Sequence, residues 1–227
     1  MPVHGDVGAL ARTLETVRDT FAFACVFLVD DGSEPAIAAS DLPKTTDAFH
    51  IVLARHVVNL GQGAALETAR QLALSHATKF SAYVTMDADG QHRAVDAHAL
   101  AHAIEDGADV AFGNRFLGDS NVPRGRRVIL FAARWFERAI TGLRLADAHN
   151  GLRAFNRAAL ERVCIRQNRM AHATEIKVLV SRAKIRVVEV PVSVRYTAES
   201  LERGQKNSGA ALILHDLMQQ YLFGDSK

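Results

Sequence analysis

Cysteine is scarce in this chain of 227 residues, and the scarcity excludes a good deal. Cys25 and Cys164 stand far apart and fit neither a disulfide framework nor a metal-ligand spacing, so both read as reduced core thiols. Excess charge is lacking too. A formal net charge of +2 gives bulk electrostatics no case for nucleic acid. No apolar run approaches the ~20 residues needed to cross a bilayer. The opening MPVHGDVGAL has neither a basic start nor a long apolar stretch, so it does not read as a signal peptide. A cytoplasmic protein is the expectation. Repeats, low-complexity tracts and linker-like stretches are missing from the sequence as well, and a single domain over 1–227 is the economical reading.

What is present is the composition of a core-forming globular chain, 48% hydrophobic and 23% charged. The first half alternates. Residues 7–20 (VGALARTLETVRDT) have helical spacing, and 23–29 (FACVFLV) form an apolar strand ending in Asp30-Asp31-Gly32-Ser33. A short Ala-rich helical piece follows, then a strand at 49–54, a helix at 62–77 and a strand at 81–86. Residues 94–105 read as helix and 109–112 as a short strand. Strands separated by helices of this length predict parallel βαβ units covered on both faces, with ligands beyond the carboxyl ends of the strands. Asp30, Asp31, Asp87 and Asp89 all fall at such ends.

The second half is less regular. Residues 118–127 (GDSNVPRGRR) predict a loop, 128–142 a helix carrying Trp135, and 152–156 a strand that returns to the sheet. A helix is expected over 174–182, and a long edge strand over 185–195 that tolerates Pro191. The tail 208–223 (SGAALILHDLMQQYLF) is an amphipathic helix suited to docking on the core, pairing with a second copy or resting on a membrane surface.

The stretch VTMDADGQH (84–92) runs an apolar strand into two aspartates one residue apart. Neighbouring carboxylates repel unless a cation lies between them. Either they form a solvated turn, or they hold a hard divalent ion such as Mg²⁺ or Mn²⁺ that bridges a diphosphate, with Gln91 and His92 adding ligands or hydrogen bonds.

Six motifs occur in one order: VDDGS (29–33), NLGQGAAL (59–66), MDADGQH (86–92), GNRF (113–116), DAHNGLRAFNR (147–157) and VEVPVSVRY (188–196). Together they resemble the family 2 glycosyltransferases of GT-A fold, nearest to the branch of dolichyl- and polyprenyl-phosphate sugar synthases. The likeness covers nearly the whole chain. It implies an α/β fold with a mixed, mostly parallel sheet flanked by helices, a nucleotide-sugar-binding half over 1–115 and an acceptor half over 116–227. It implies a metal-dependent, inverting hexosyl transfer from a UDP- or GDP-type sugar to a polyprenyl phosphate or a saccharide, in the service of cell-envelope polysaccharide synthesis.

Position by position, the resemblance puts Pro2, Asp6 and Asp31 against the nucleobase, Gln62 and Asp87 near the ribose and diphosphate, and Asp89 with Gln91 on the metal. Arg203 and Lys206 fall on a closing loop over the donor (Tyr196–Lys206). Arg115 and Arg126, in a basic cluster with Arg124 and Arg127, fall where acceptor-phosphate arginines lie. Asp147, His149 and Asn150 border the acceptor, and Glu175, or more weakly His172, stands where a base would serve a hydroxyl acceptor. Asp30 and Asp31 also suit an ordinary Asp-Gly turn.

The chain departs from the family pattern in places. Gly5-Asp6 replaces Asn-Glu, Gln62 replaces a lysine, and Ile129-Leu130 are apolar where a polar residue is usual. Met1-Pro2 starts where the first strand should be ending, so that strand is expected to be missing. These departures leave a second reading open, a non-catalytic GT-A protein that binds nucleotide or a protein partner. A sugar nucleotidyltransferase is disfavoured, because no Gly-rich loop with Arg or Lys follows the first strand. Peripheral contact with the cytoplasmic face of a membrane, recruitment by a membrane protein and a homodimer are the further partner expectations.

Overall fold

The computed structural model describes residues 1–119, 134–135, 138–147, 150–168 and 171–194. Among them, α1 (Val7–Thr20) begins where Asp6 accepts the backbone N–H of Ala9 through Oδ1 at 3.0 Å. This satisfies one of the first-turn donors that no helix can satisfy by itself. Its Leu10, Leu14 and Val17 then fall on one buried face. β2 (Ala24–Asp31) follows, its apolar residues split by strand alternation. Val26 and Leu28 enter a core with α1 and with α3 (Ala94–Glu105), while Phe27 and Val29 enter a second core beneath α2 (Gln62–Ser75). Both faces of the strand are buried, the pattern of a covered parallel sheet.

The strands form two hydrogen-bonded sheets. One has the order β1-β2-β3, with β1 (Pro2–Val3) and β3 (Phe49–His56) both parallel to β2. The other has the order β4-β6-β5-β7, from β4 (Tyr83–Thr85), β5 (Val110–Asn114), β6 (Arg153–Phe155) and β7 (Val187–Pro191). There β6 is antiparallel to β4 and β5, and β7 is parallel to β5. Two further helices, α4 (Arg157–Arg162) and α5 (Ala171–Ala183), lie after β6. Asn156 caps α4 by accepting Ala159 N–H at 2.7 Å.

The helices expected at 7–20 and 94–105 form with those bounds. β2 runs on through both aspartates, since the ladder to β3 continues to Asp31↔His56. The Ala-rich piece is only a 3₁₀ turn, Ala39–Asp41. β7 is the expected edge strand, shortened to five residues with Pro191 last, where a missing N–H costs the sheet nothing. Of the predicted 128–142 helix, 134–135 and 138–141 are described and are helical, and Gly142 lies just past the helix with φ +71°. The tail helix lies outside the described residues. Cys164 is exposed rather than buried, because its neighbours Val163 and Ile165 take the inward positions. No described helix is long and apolar enough to cross a membrane.

The first strand is not missing outright. A two-residue β1 pairs as Pro2↔Val29 and Val3↔Asp30. Proline has no N–H to give, but Met1 supplies the ladder: its carbonyl accepts Val29 N–H at 3.0 Å and its amine donates to Phe27 O at 2.9 Å. Among the described residues β1 pairs with β2 alone, and the strands form two sheets.

Burial pushes the Met1 amine from an ordinary 8.0 down to about 5, against an opposing pull from Asp87. A base whose folded pKa is lowered binds fewer protons folded than unfolded between those values. Its contribution to stability is therefore full above pH 8 and is lost as pH falls toward 5. The denaturant midpoint of the chain should fall over that window, and acetylating the amine should flatten that part of the profile.

Candidate functional site

The ends of β2 and β4 meet at the start of α2. Asp31, nearly fully buried, accepts Leu60 N–H at 2.9 Å, Gly61 N–H at 2.7 Å and His56 Nδ1 at 2.7 Å. His56 is held from its far side by Thr68 Oγ1 at 2.9 Å. Burial raises the Asp31 carboxyl pKa, but the His56 contact and the two backbone donors outweigh it, so the group lies below the usual range. Gly61 makes this possible with φ +96°, a conformation side-chain-bearing residues rarely adopt. His4 Nδ1 meets Asp31 O at 3.0 Å and Gly5 N–H donates to Ser33 Oγ at 2.9 Å, which lays the Pro2–Asp6 segment over the end of β2. Asp30 turns the other way. It accepts Ser33 and Ile37 N–H, with Arg55 Nε at 3.5 Å, and so braces the turn as the Asp-Gly reading anticipated.

One residue beyond Gly61, Gln62 Nε2 donates to Asp87 Oδ1 at 2.8 Å. The two strand ends are thereby tied to consecutive residues of one helix start, whose partial positive charge suits carboxylates. Asp87 Oδ2 lies 3.5 Å from His92 Nε2. Burial raises the Asp87 pKa, but the His92 hydrogen bond and the charges of His92, Arg153 and His172 bring it below the ordinary value. The backbone presses close as well: a Cβ on Gly151 would come 2.3 Å from Asp87 Oδ2. Ala88 points into the core, where its carbonyl faces Thr13 Oγ1 at 3.4 Å. Asp89 is left in solvent. Its carboxylate takes Gln91 N–H at 3.0 Å and Gln91 Nε2 at 2.7 Å. Desolvation by its surroundings and the negative charge of Asp87 hold Asp89 above the usual carboxylate range, against the Gln91 N–H.

This is the electrostatic situation a cation relieves. No described group of three or more His, Cys, Asp or Glu side chains is arranged to hold a metal. A hard divalent ion needs fewer, since one or two carboxylates suffice when phosphate oxygens and water complete the shell. Asp89, with Asp87 behind it and the Gln91 amide beside it, fits that donor set.

A second, buried cluster forms around Asp147. Arg115, 5% exposed, reaches Asp147 Oδ2 through its backbone N–H at 3.0 Å and through Nε at 2.7 Å. Asn150 Nδ2 donates to the same oxygen at 3.2 Å, and Lys177 Nζ to the Asp147 carbonyl at 3.4 Å. Arg153 and Lys177 are each 2% exposed. The segment 147–153 therefore joins the two clusters. Asp147 faces Arg115, Gly151 backs Asp87, and Arg153 acts electrostatically on Asp87.

The structure thus brings Pro2, Asp6, Asp31, Gln62, Asp87, Asp89 and Gln91 around two strand ends, and Arg115, Asp147 and Asn150 together beside them. Asp6 is engaged as a helix cap. Glu175 is engaged too: its Oε2 accepts Arg166 N–H at 2.9 Å and Gln167 N–H at 2.8 Å, which fixes the loop ahead of α5. Arg126, His149, Arg203 and Lys206 lie outside the described residues. Arg153 and Lys177 escaped the sequence reading. The signal was a cation at an inward position, Arg153 inside the strand LRAF and Lys177 between Ile176 and Val178 on the buried face of a helix.

The profile of Glycosyl transferase family 2 matches residues 1–164. An uncharacterized protein of Methanocaldococcus jannaschii is 27% identical over 98% of this chain and 91% of its own. An undecaprenyl-phosphate mannosyltransferase of Micrococcus luteus is 27% identical over 85% of this chain and 81% of its own. Among solved structures, glucosyl-3-phosphoglycerate synthase from Mycobacterium tuberculosis in complex with UDP has TM-score 0.62 at 15% identity, covering 97% of this chain and 76% of that one. That likeness concerns the fold, and it agrees with the GT-A architecture expected from the motifs.

Removing one partner of a buried ion pair costs roughly 3–5 kcal/mol. Asp147→Ala takes its carboxylate from the buried Arg115 guanidinium and should lose about that much in denaturant unfolding, whereas an exposed control such as Asp19→Ala should lose less than about 0.5 kcal/mol.

Proposed function

The chain belongs to glycosyl transferase family 2, and from that premise we propose a metal-dependent, inverting glycosyltransferase that moves a sugar from a nucleoside diphosphate onto a polyprenyl phosphate. One arrangement carries the reading: Asp87 and the exposed Asp89 stand two residues apart just past β4, with the Gln91 amide on Asp89, while Arg153 acts on Asp87 and Arg115 and Lys177 gather around Asp147.

In this reading the Pro2–Asp6 segment and the Asp31 end of β2 seat the nucleoside. Gln62, His92 and Gly151 fix the Asp87 carboxylate so that it orients the ribose and diphosphate. Asp89 and Gln91 hold Mg²⁺ or Mn²⁺, which when bound supplies positive charge to the departing diphosphate. Arg115, steered by Asp147 and Asn150, gives its half of the site a fixed cationic character. A phosphate acceptor is already ionised at neutral pH and needs cations rather than a base. A hydroxyl acceptor needs a base within hydrogen-bond reach. Glu175 has its Oε2 bound to two backbone N–H groups, which favours the phosphate over the saccharide. The Micrococcus luteus relative, by its name, acts on undecaprenyl phosphate.

Calorimetric titration of UDP and GDP, with and without Mn²⁺, tests this on the wild type and on Asp89→Ala. One nucleotide should bind in a metal-dependent way, and the variant should lose the metal dependence. Binding of neither nucleotide overturns the donor site. Metal-dependent binding without transfer to polyprenyl phosphate selects the non-catalytic reading instead.

The metal dependence should itself depend on pH. Asp89 must be deprotonated to bind a cation, and its pKa is raised. Mn²⁺ affinity should therefore weaken on acidification from a higher pH than an ordinary carboxylate would give, and Asp89→Asn should remove that dependence.

A further inference from the structure

Glu189 is the one acidic residue of the motif VEVPVSVRY (188–196), and it lies in β7 between Val188 and Val190, opposite Phe112 of β5. A partly buried carboxylate among valines is costly unless N–H donors replace water. Two do so at a single oxygen. Asn114 Nδ2 donates to Glu189 Oε1 at 3.0 Å, and Ala146 N–H donates to the same atom at 2.8 Å. Among the described residues no group is bonded to Oε2.

The two donors adjoin the buried ion pair in sequence. Asn114 is fully buried, and its Oδ1 accepts Phe116 N–H at 2.9 Å, so its side chain braces the chain on both sides of Arg115. Ala146 immediately precedes Asp147. One oxygen therefore holds the backbone beside both members of the Arg115–Asp147 pair. Arg115 meets Asp147 Oδ2 through its own N–H as well as through Nε, so the placement of its backbone sets that contact directly. A shift of the 114–116 turn against residue 146 would turn the guanidinium with it. GNRF and VEVPVSVRY thus meet at one junction with the residue that leads into DAHNGLRAFNR.

We infer that Glu189 is a positioning residue for the acceptor half of the site: its Oε1, acting as a hydrogen-bond acceptor and not as a charge, holds Asn114 and Ala146 together and thereby sets the direction of Arg115 toward the phosphate of the acceptor. The inference rests on the polyprenyl-phosphate reading for what Arg115 meets, and on the hydrogen bonds above for how Arg115 is held. Both donors converge on one oxygen, and an amide oxygen in the same place accepts the same two N–H groups. Glutamine therefore serves at this position. Alanine does not, because it offers no acceptor, and aspartate does not, because it is one methylene too short to reach both donors.

The test compares Glu189→Gln, Glu189→Asp and Glu189→Ala with the wild type in transfer to polyprenyl phosphate, in calorimetric titration of the donor nucleotide with Mn²⁺, and in amide exchange. Alanine and aspartate should each raise KM for polyprenyl phosphate by about tenfold, the worth of one or two lost hydrogen bonds, and leave nucleotide affinity within about twofold. Glutamine should stay within about twofold of the wild type in both. Exchange at the Arg115 N–H, which Glu189 does not touch, should quicken by about tenfold or more in the alanine and aspartate variants and not in the glutamine variant. A glutamine variant as impaired as alanine would make charge the operative feature and overturn the inference. Unchanged KM and unchanged exchange in the alanine variant would overturn it too, and so would equal losses in lipid KM and nucleotide affinity, the mark of general damage to the fold. Absence of transfer by the wild type would sink the polyprenyl-phosphate reading, whereas the exchange comparison still decides whether Glu189 holds Arg115.

Discussion

Asp87 is a carboxylate that must stay ionised at the junction of two sheets, and the local structure is arranged around that demand. A charge half removed from water is unstable unless hydrogen bonds and opposite charges replace the solvent. Gln62 reaches it from α2, His92 from the turn before α3, and Arg153 acts on it from β6. Each comes from a different segment, so fixing one side chain also fixes where α2, α3 and β6 stand relative to β4. The close backbone of Gly151 completes the enclosure, since any larger residue would collide with the carboxylate. Asp89, two residues on, faces solvent on one side but is still raised by its surroundings and by the charge of Asp87.

The same logic explains why the second cluster is buried. Arg115 and Lys177 converge on Asp147 from β5's end and from α5, and Asn150 adds a donor to the same oxygen. Buried cations held this way cannot swing to a surface partner. With Arg115 and Lys177 against one carboxylate, the cluster keeps a fixed positive character. Because Asp147 and Arg153 lie on one short segment, that character is mechanically tied to the placement of Asp87.

Much of this was legible in the sequence where chemistry and periodicity coincide. Leu10, Leu14 and Val17 announce α1 through their spacing, whereas the capping role of Asp6, expected against the nucleobase, emerges only from the structure. Asp31 at the end of β2 and Asp87 two residues past β4 are visible because an apolar run breaks into acids. Less legible were features set by distant partners. Nothing local to Glu175 says that it holds the N–H groups of Arg166 and Gln167. Lys177 and Arg153 stand at inward positions, but what they face there is set by segments distant in sequence. The two-residue β1 escaped because periodicity cannot act over so short a stretch, and Cys164 because an inward bias for thiols yielded to its neighbours Val163 and Ile165.

The divided sheet has a consequence of a different kind. Most interiors are packed nearly as densely as organic crystals, and so resist compression. Void space eliminated on unfolding makes the unfolded state the smaller one in volume, and hydrostatic pressure then favours it. An apolar gap of about 510 Å³, open to solvent in part, lies between β2 and β4, so it is beside Ala24–Phe27 that pressure finds loosely packed space to remove.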